Sequence, residues 1–114
     1  MVGDAIGIIE VFGFTTAVCA ADAAAKAADV QVIALDSNKP ANADKVEVPL
    51  IMCVKIQGSV AAVEAGVAAG AKRAEEVSGL IQTHIIARPT EDAEKMALRC
   101  SVGRDKVGHI PNNG

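Results

Sequence analysis

The chain has 114 residues, enough for one domain, and its net charge of -3 with only two aromatic residues, Phe12 and Phe14, argues against nucleic acid as a partner. Half of it is apolar, so it is not a disordered chain. The opening "MVGDAIGIIEV" has no basic n-region, and Glu64, Lys72 and Arg73 interrupt the longest apolar run, so a soluble, cytoplasmic protein is expected.

In chain order, "AIGIIEVFGF" (Ala5 to Phe14) is a short β-rich run ended by glycine, which predicts a strand. Thr15 or Thr16 is placed to cap a helix reaching about Ala28, and "VQVIAL" (Val30 to Leu35) is a second strand. The polar, turn-rich "DSNKPANADKVEVP" reads as a loop. A third strand follows from Leu50 to Gly58, then Ser59 as the cap of a second helix, then a fourth strand from Leu80 to Ala87. Arg88, Pro89 and Thr90 turn the chain into "EDAEKMALRC", a short C-terminal helix with two acids in its first turn. Residues 4–100 make a single domain, and residues 101–114 a tail with the composition of a mobile end.

This order is a doubled βαβ pattern, the ferredoxin-like α+β arrangement of a four-stranded antiparallel sheet with helices on one face. Both helices are built from alanine, which has high helix propensity but little area to bury. Such helices gain stability by close approach, and Gly66 and Gly70, four apart on one helix side, permit it. The remaining burial is expected from neighbouring copies.

Little else carries chemistry. Cys19, Cys53 and Cys100 are scattered and odd in number, which argues against a disulfide framework, and Cys19 and Cys53 read as small buried hydrophobes. His84 and His109 form no metal-ligand spacing, and Gly3, Gly7 and Gly13 reproduce no phosphate-binding pattern. Lys72, Arg73, Glu75 and Glu76 read as a solvated helix face, with Lys72 and Glu76 four apart. No catalytic residue, metal site or cofactor is expected.

Several stretches together resemble one family. "IGIIEV", "AADAAAKAADV", "QGSVAAVEAGVAAGA" and "HIIARP", in this order and spacing, closely resemble the bacterial microcompartment (BMC) domain of shell proteins, over about Ala5 to Glu94. The resemblance implies a non-enzymatic tile. Six copies surround an axis, and the homohexamers pack edge to edge with other shell proteins into a layer enclosing metabolic enzymes. It also implies that the loop between the second and third strands lines a central pore for small metabolites, here Ser37, Asn38, Lys39, Pro40, Ala41, Asn42, Ala43, Asp44 and Lys45. Lys26 matches a lysine lying across the contact between hexamers, and Arg88 matches the arginine of a strand-end motif at the same edge.

The loop departs from the family pattern. Many relatives have a short glycine-rich turn there, whereas this one is longer and is stiffened by Pro40 and Pro49. Sixfold symmetry would repeat any axis-facing side chain six times, so a single Lys39 or Asp44 could dominate the potential of the pore. Some relatives bind an iron–sulfur cluster through a loop cysteine, but none occurs between Ser37 and Val48. The rival from another class is a trimeric, ferredoxin-like signal protein that binds its ligand through a long loop at this position.

Overall fold

A computed structural model of the chain describes residues 4–38, 51–90 and Ala93. Strand β1 (Ala5–Phe12) leads into helix α1 (Phe14–Ala27), strands β2 (Gln31–Asn38) and β3 (Ile51–Gly58), helix α2 (Val60–Val77) and strand β4 (Leu80–Ile86). The sheet order is β2-β3-β1-β4, and every pairing is antiparallel. This is the expected α+β arrangement. The proposed pore-loop residues Lys39–Lys45, the tail 101–114 and all of the proposed C-terminal helix except Ala93 lie outside the described residues. At Ala93 the helical backbone N–H donates to Thr90 Oγ1 at 3.1 Å.

Three boundaries differ from the sequence expectation, each for a physical reason. The first strand stops at Phe12 because Gly13 takes a positive φ of 88°, a conformation that favours glycine. Neither Thr15 nor Thr16 caps α1. Gly13 is the N-cap, no side chain caps the helix, and Thr16 is buried within the first turn. The third difference is in β2, which continues through Asp36, Ser37 and Asn38, opposite Cys53, Met52 and Ile51 of β3. Pairing to a buried neighbour outweighs the loop-like composition of those three residues. The other cap is as expected: the Ser59 hydroxyl accepts from the Ala62 N–H at 3.1 Å.

Both helices cover one face of the sheet. Alternation along β1 and β3 sends Ile9, Val11, Met52, Val54 and Ile56 into that layer, where they meet Ala17, Ala20 and Ala24 of α1 and Val63, Val67 and Ala74 of α2. On α2 the tightest approach is at Gly70, matched on the sheet by Gly7, whose Cβ would stand 2.6 Å from Val67. A Cβ there would stand 2.6 Å from Ile9 Cδ1 and 3.0 Å from the carbonyl oxygen of Ala20. Gly66 also faces the sheet, and its Cβ would lie 3.0 Å from Ile56 Cδ1 and 3.4 Å from Val30. The two glycines therefore differ: Gly70 limits both the separation of the helices, through Ala20, and the height of α2 above the sheet, through Ile9, whereas Gly66 bears on the height and on Val30.

This division predicts different costs for the same substitution. In Gly70→Ala the new methyl meets a backbone oxygen that cannot move without displacing α1. A loss of about 1–3 kcal/mol is expected, despite the ~1 kcal/mol helix-propensity gain. In Gly66→Ala the neighbour is the far end of a flexible isoleucine, so overpacking and propensity should nearly cancel, whereas Gly66→Leu should lose about 1–3 kcal/mol. Urea unfolding of the three variants tests this. Equal midpoints for Gly70→Ala and Gly66→Ala would mean that Ala20 does not limit the approach.

Candidate functional site

The register divides the molecule into two ends. At one, Ala5 stands opposite Gly58, Ile6 opposite Ile86, and Gln31 opposite Gln57. α1 finishes there, α2 starts there, and the chain leaves β4 there. At the other end, Phe12 and Asn38 both stand opposite Ile51, so the connection from β2 to β3 departs from that side. Eight residues per strand, seven rises of ~3.3 Å, separate the two ends by about 23 Å.

Lys26 and Arg88 share the first end. Lys26 sits in the last turn of α1, where a cation complements the helix dipole. Its ammonium lies 2.9 Å from Asp22 Oδ2, one helical turn back, with the lysine side chain 76% exposed. Such exposed pairs contribute only ~0.3–0.5 kcal/mol, so the ammonium is positioned at little cost and can exchange its partner readily. Arg88 is exposed in the bend after β4. A polar cleft of about 280 Å³ opens at the same end, lined by Asp4, Asp29, Gln31, Gln57 and Ser59 among others. Ser37 and Asn38 fall at the opposite end, as the last residues of β2.

On the solvated face of α2 the ion pair is Arg73 to Glu76, at 3.1 Å and three residues apart. Among the described residues no group of three or more His, Cys, Asp or Glu side chains is arranged to hold a metal ion. No helix among them is long and apolar enough to cross a membrane.

One polar cluster was not expected from the sequence. Across the sheet face turned away from the helices, Gln82 Nε2 donates to Glu10 Oε1 at 2.8 Å, and the Cys53 thiol donates to Glu10 Oε2 at 3.7 Å. Beside them, Lys55 donates to Asp36 Oδ2 at 3.5 Å. Cys53 is half-buried, not the buried hydrophobe expected, and Cys19 is likewise only partly covered. Burial, followed by the Glu10 carboxylate, pushes the Cys53 thiol up to about 11, with Lys55 opposing. At neutral pH it is a protonated hydrogen-bond donor and a poor nucleophile. Only the strand register brings Glu10, Cys53 and Gln82 into one row, and their sequence spacing gives no sign of it.

The raised Cys53 value makes stability depend on pH. Between the ordinary value of 9.0 and about 11 the folded state holds a proton that the unfolded chain releases. The stability this contributes is complete below pH 9 and is lost as pH rises through 11. Wild-type protein should therefore lose more stability than Cys53→Ala between pH 9 and 11, as measured by urea midpoints; parallel curves would contradict the burial of the Cys53 thiol beside Glu10.

Comparison with known proteins gives one answer. The family model for the BMC domain matches residues 5–89. The bacterial microcompartment shell protein PduK of Salmonella typhimurium is 36% identical over 79% of this chain and 51% of its own length. The carboxysome shell protein CcmK2 of Thermosynechococcus vestitus is 39% identical over 79% of this chain and 81% of its own. For the shell protein PduA of Citrobacter freundii the figures are 34%, 82% and 90%. A solved microcompartment protein from Desulfitobacterium hafniense superposes with a TM-score of 0.63 at 26% identity, covering 83% of this chain and 47% of that one. The chain thus spans about half the length of PduK and of the solved protein, and most of the length of CcmK2 and PduA. With all four strands and both helices inside the matched region, the chain belongs to the BMC domain family, alongside shell proteins of microcompartments and carboxysomes.

Proposed function

We propose that this chain is a structural shell subunit that acts as a homohexameric tile. In this reading six copies surround an axis with the β2–β3 connection turned inward and Lys26 and Arg88 on the outer rim. Tiles join through those rims, with one another and with other shell proteins, into a layer that encloses metabolic enzymes in the cytoplasm. The connection, Lys39 to Lys45, lines the passage for small metabolites, with Ser37 and Asn38 at its mouth as the last residues of a paired strand. The subunit carries no catalytic activity of its own, and its contribution is to hold and filter a boundary.

The observation that supports this best is the opposition of the two ends. The β2–β3 connection leaves one end of the strands, and Lys26 and Arg88 stand at the other, one strand length away. A tile needs this separation, because whatever lines a central passage must be far from whatever meets the next tile. The rim chemistry also fits. A lysine stem can lie along a neighbour while its ammonium finds carbonyl acceptors, which gives a small, repeatable contact without a large apolar patch. Detaching Lys26 from Asp22 costs little.

Native mass spectrometry tests the ring. Six chains of 11.6 kDa give about 70 kDa, whereas a trimer, the signal-protein alternative, gives about 35 kDa. Lys26→Ala tests the rim. The variant should keep its ring but form no sheets or tubes by negative-stain electron microscopy. Loss of the ring itself would place Lys26 between subunits instead of between tiles.

A further inference from the structure

The apolar pattern of β2 does not fix its own register on β3. Val32, Ile33, Ala34 and Leu35 are consecutive apolar residues, so either phase of the strand would send apolar side chains to the helix-covered face. On β3 the alternation is clear: Met52, Val54 and Ile56 enter the core, while Cys53 and Lys55 point to the other face. The pairing of the two strands changes phase along its length. Gln31 stands opposite Gln57 and Val32 opposite Ile56, but beyond the bulge at Ile33 the partners are Ala34 with Lys55, Leu35 with Val54 and Asp36 with Cys53.

Without that extra residue the first two pairs would continue as Ile33 with Lys55, Ala34 with Val54, Leu35 with Cys53 and Asp36 with Met52. This plain register would carry Asp36 to the helix-covered face beside Met52, which is 1% exposed, and a carboxylate buried there would lose its solvation. In the observed register Asp36 lies on the opposite face, one diagonal step from Lys55, and accepts from its ammonium at 3.5 Å. The lysine side chain is only 11% exposed and the aspartate 31%. Leu35 gains as well, since the bulge turns it against the core. Between the two registers leucine and alanine merely exchange faces, whereas the aspartate passes from paired to stranded. Selection of one register against its neighbour is the best-attested use of a buried charge.

We infer that the Lys55–Asp36 pair is the register lock of β2: it selects the bulged pairing and so fixes where the β2–β3 connection begins. Asp36 stands two residues before Asn38, the last residue of the strand. The two side chains are positioning residues that act through the backbone between them. A slip of one residue would turn Ser37 and Asn38 to opposite faces of the sheet. The lock itself rests on the pairing of β2 with β3. Its consequence rests on the tile reading above, in which it sets the mouth of the passage alike in every copy.

The test compares Asp36→Asn, Lys55→Gln and the double variant in the full chain, by amide hydrogen exchange read strand by strand. Each single change should speed exchange roughly tenfold or more in β2 beyond the bulge, residues 34–38, and leave β1 and β4 as in the wild type. The double variant should lose no more than either single one, because both remove the same interaction. If Lys55→Gln does not fold, Lys55→Met takes its place in the same comparison. The inference is overturned if residues 34–38 keep wild-type exchange, if protection falls equally in all four strands, or if the two losses add. Native mass of the wild type tests the tile reading separately. A monomer or trimer with the same coupled loss in β2 would refute the tile and leave the lock standing.

Discussion

The contact between Gly70 of α2 and the Ala20 carbonyl of α1 sets the geometry of the rest. With no side chain at one surface and a methyl at the other, the two helices lie almost backbone to backbone, and both fit over four strands. The alanines of α1, at Ala17, Ala20 and Ala24, are therefore a requirement of the spacing. Larger residues would force the helices apart and lift them from Ile9 and Val11. The layer beneath supplies the apolar volume that the helices lack, through Ile9, Met52, Val54 and Ile56.

Such a core stabilises modestly, because small side chains bury little area. Both phenylalanines and several valines and isoleucines remain outside it. A monomer that leaves both phenylalanines partly exposed while facing its first helix to the core with alanine is suited to assembly. Whatever binds only the folded form adds to its stability by mass action. In the proposed ring, subunit fold and assembly would be linked equilibria.

Much of this was legible in the chain. The period-two run of "IGIIEV", the alanine-rich helical stretches, Ser59 before the second of them and the order of elements led to the correct layers, and the family followed from motifs spread along both halves. What escaped depended on partners distant in sequence. Asp36, Ser37 and Asn38 have loop composition and become strand only because Cys53, Met52 and Ile51 lie alongside. Thr15 and Thr16 are good caps by residue type, yet Gly13 had already turned the chain, so the helix begins before either of them. The row of Glu10, Cys53 and Gln82 joins residues as many as 72 positions apart, and no local pattern reports it. The candidate rim was visible only through resemblance, since a lysine and an arginine 62 positions apart show no mutual spacing.

The bond between Lys26 and Asp22 has a consequence for how a sheet of tiles would grow. In the proposed tile, a lysine so weakly held would give up little when it reached across to a neighbour, so attachment would meet a low barrier. Because the same aspartate stands ready to take the ammonium back, detachment is easy as well. A joint that closes and opens with little activation lets a misplaced tile leave before others trap it. The short helical ion pair would then act as an annealing device, favouring order in the layer over strength in any single seam.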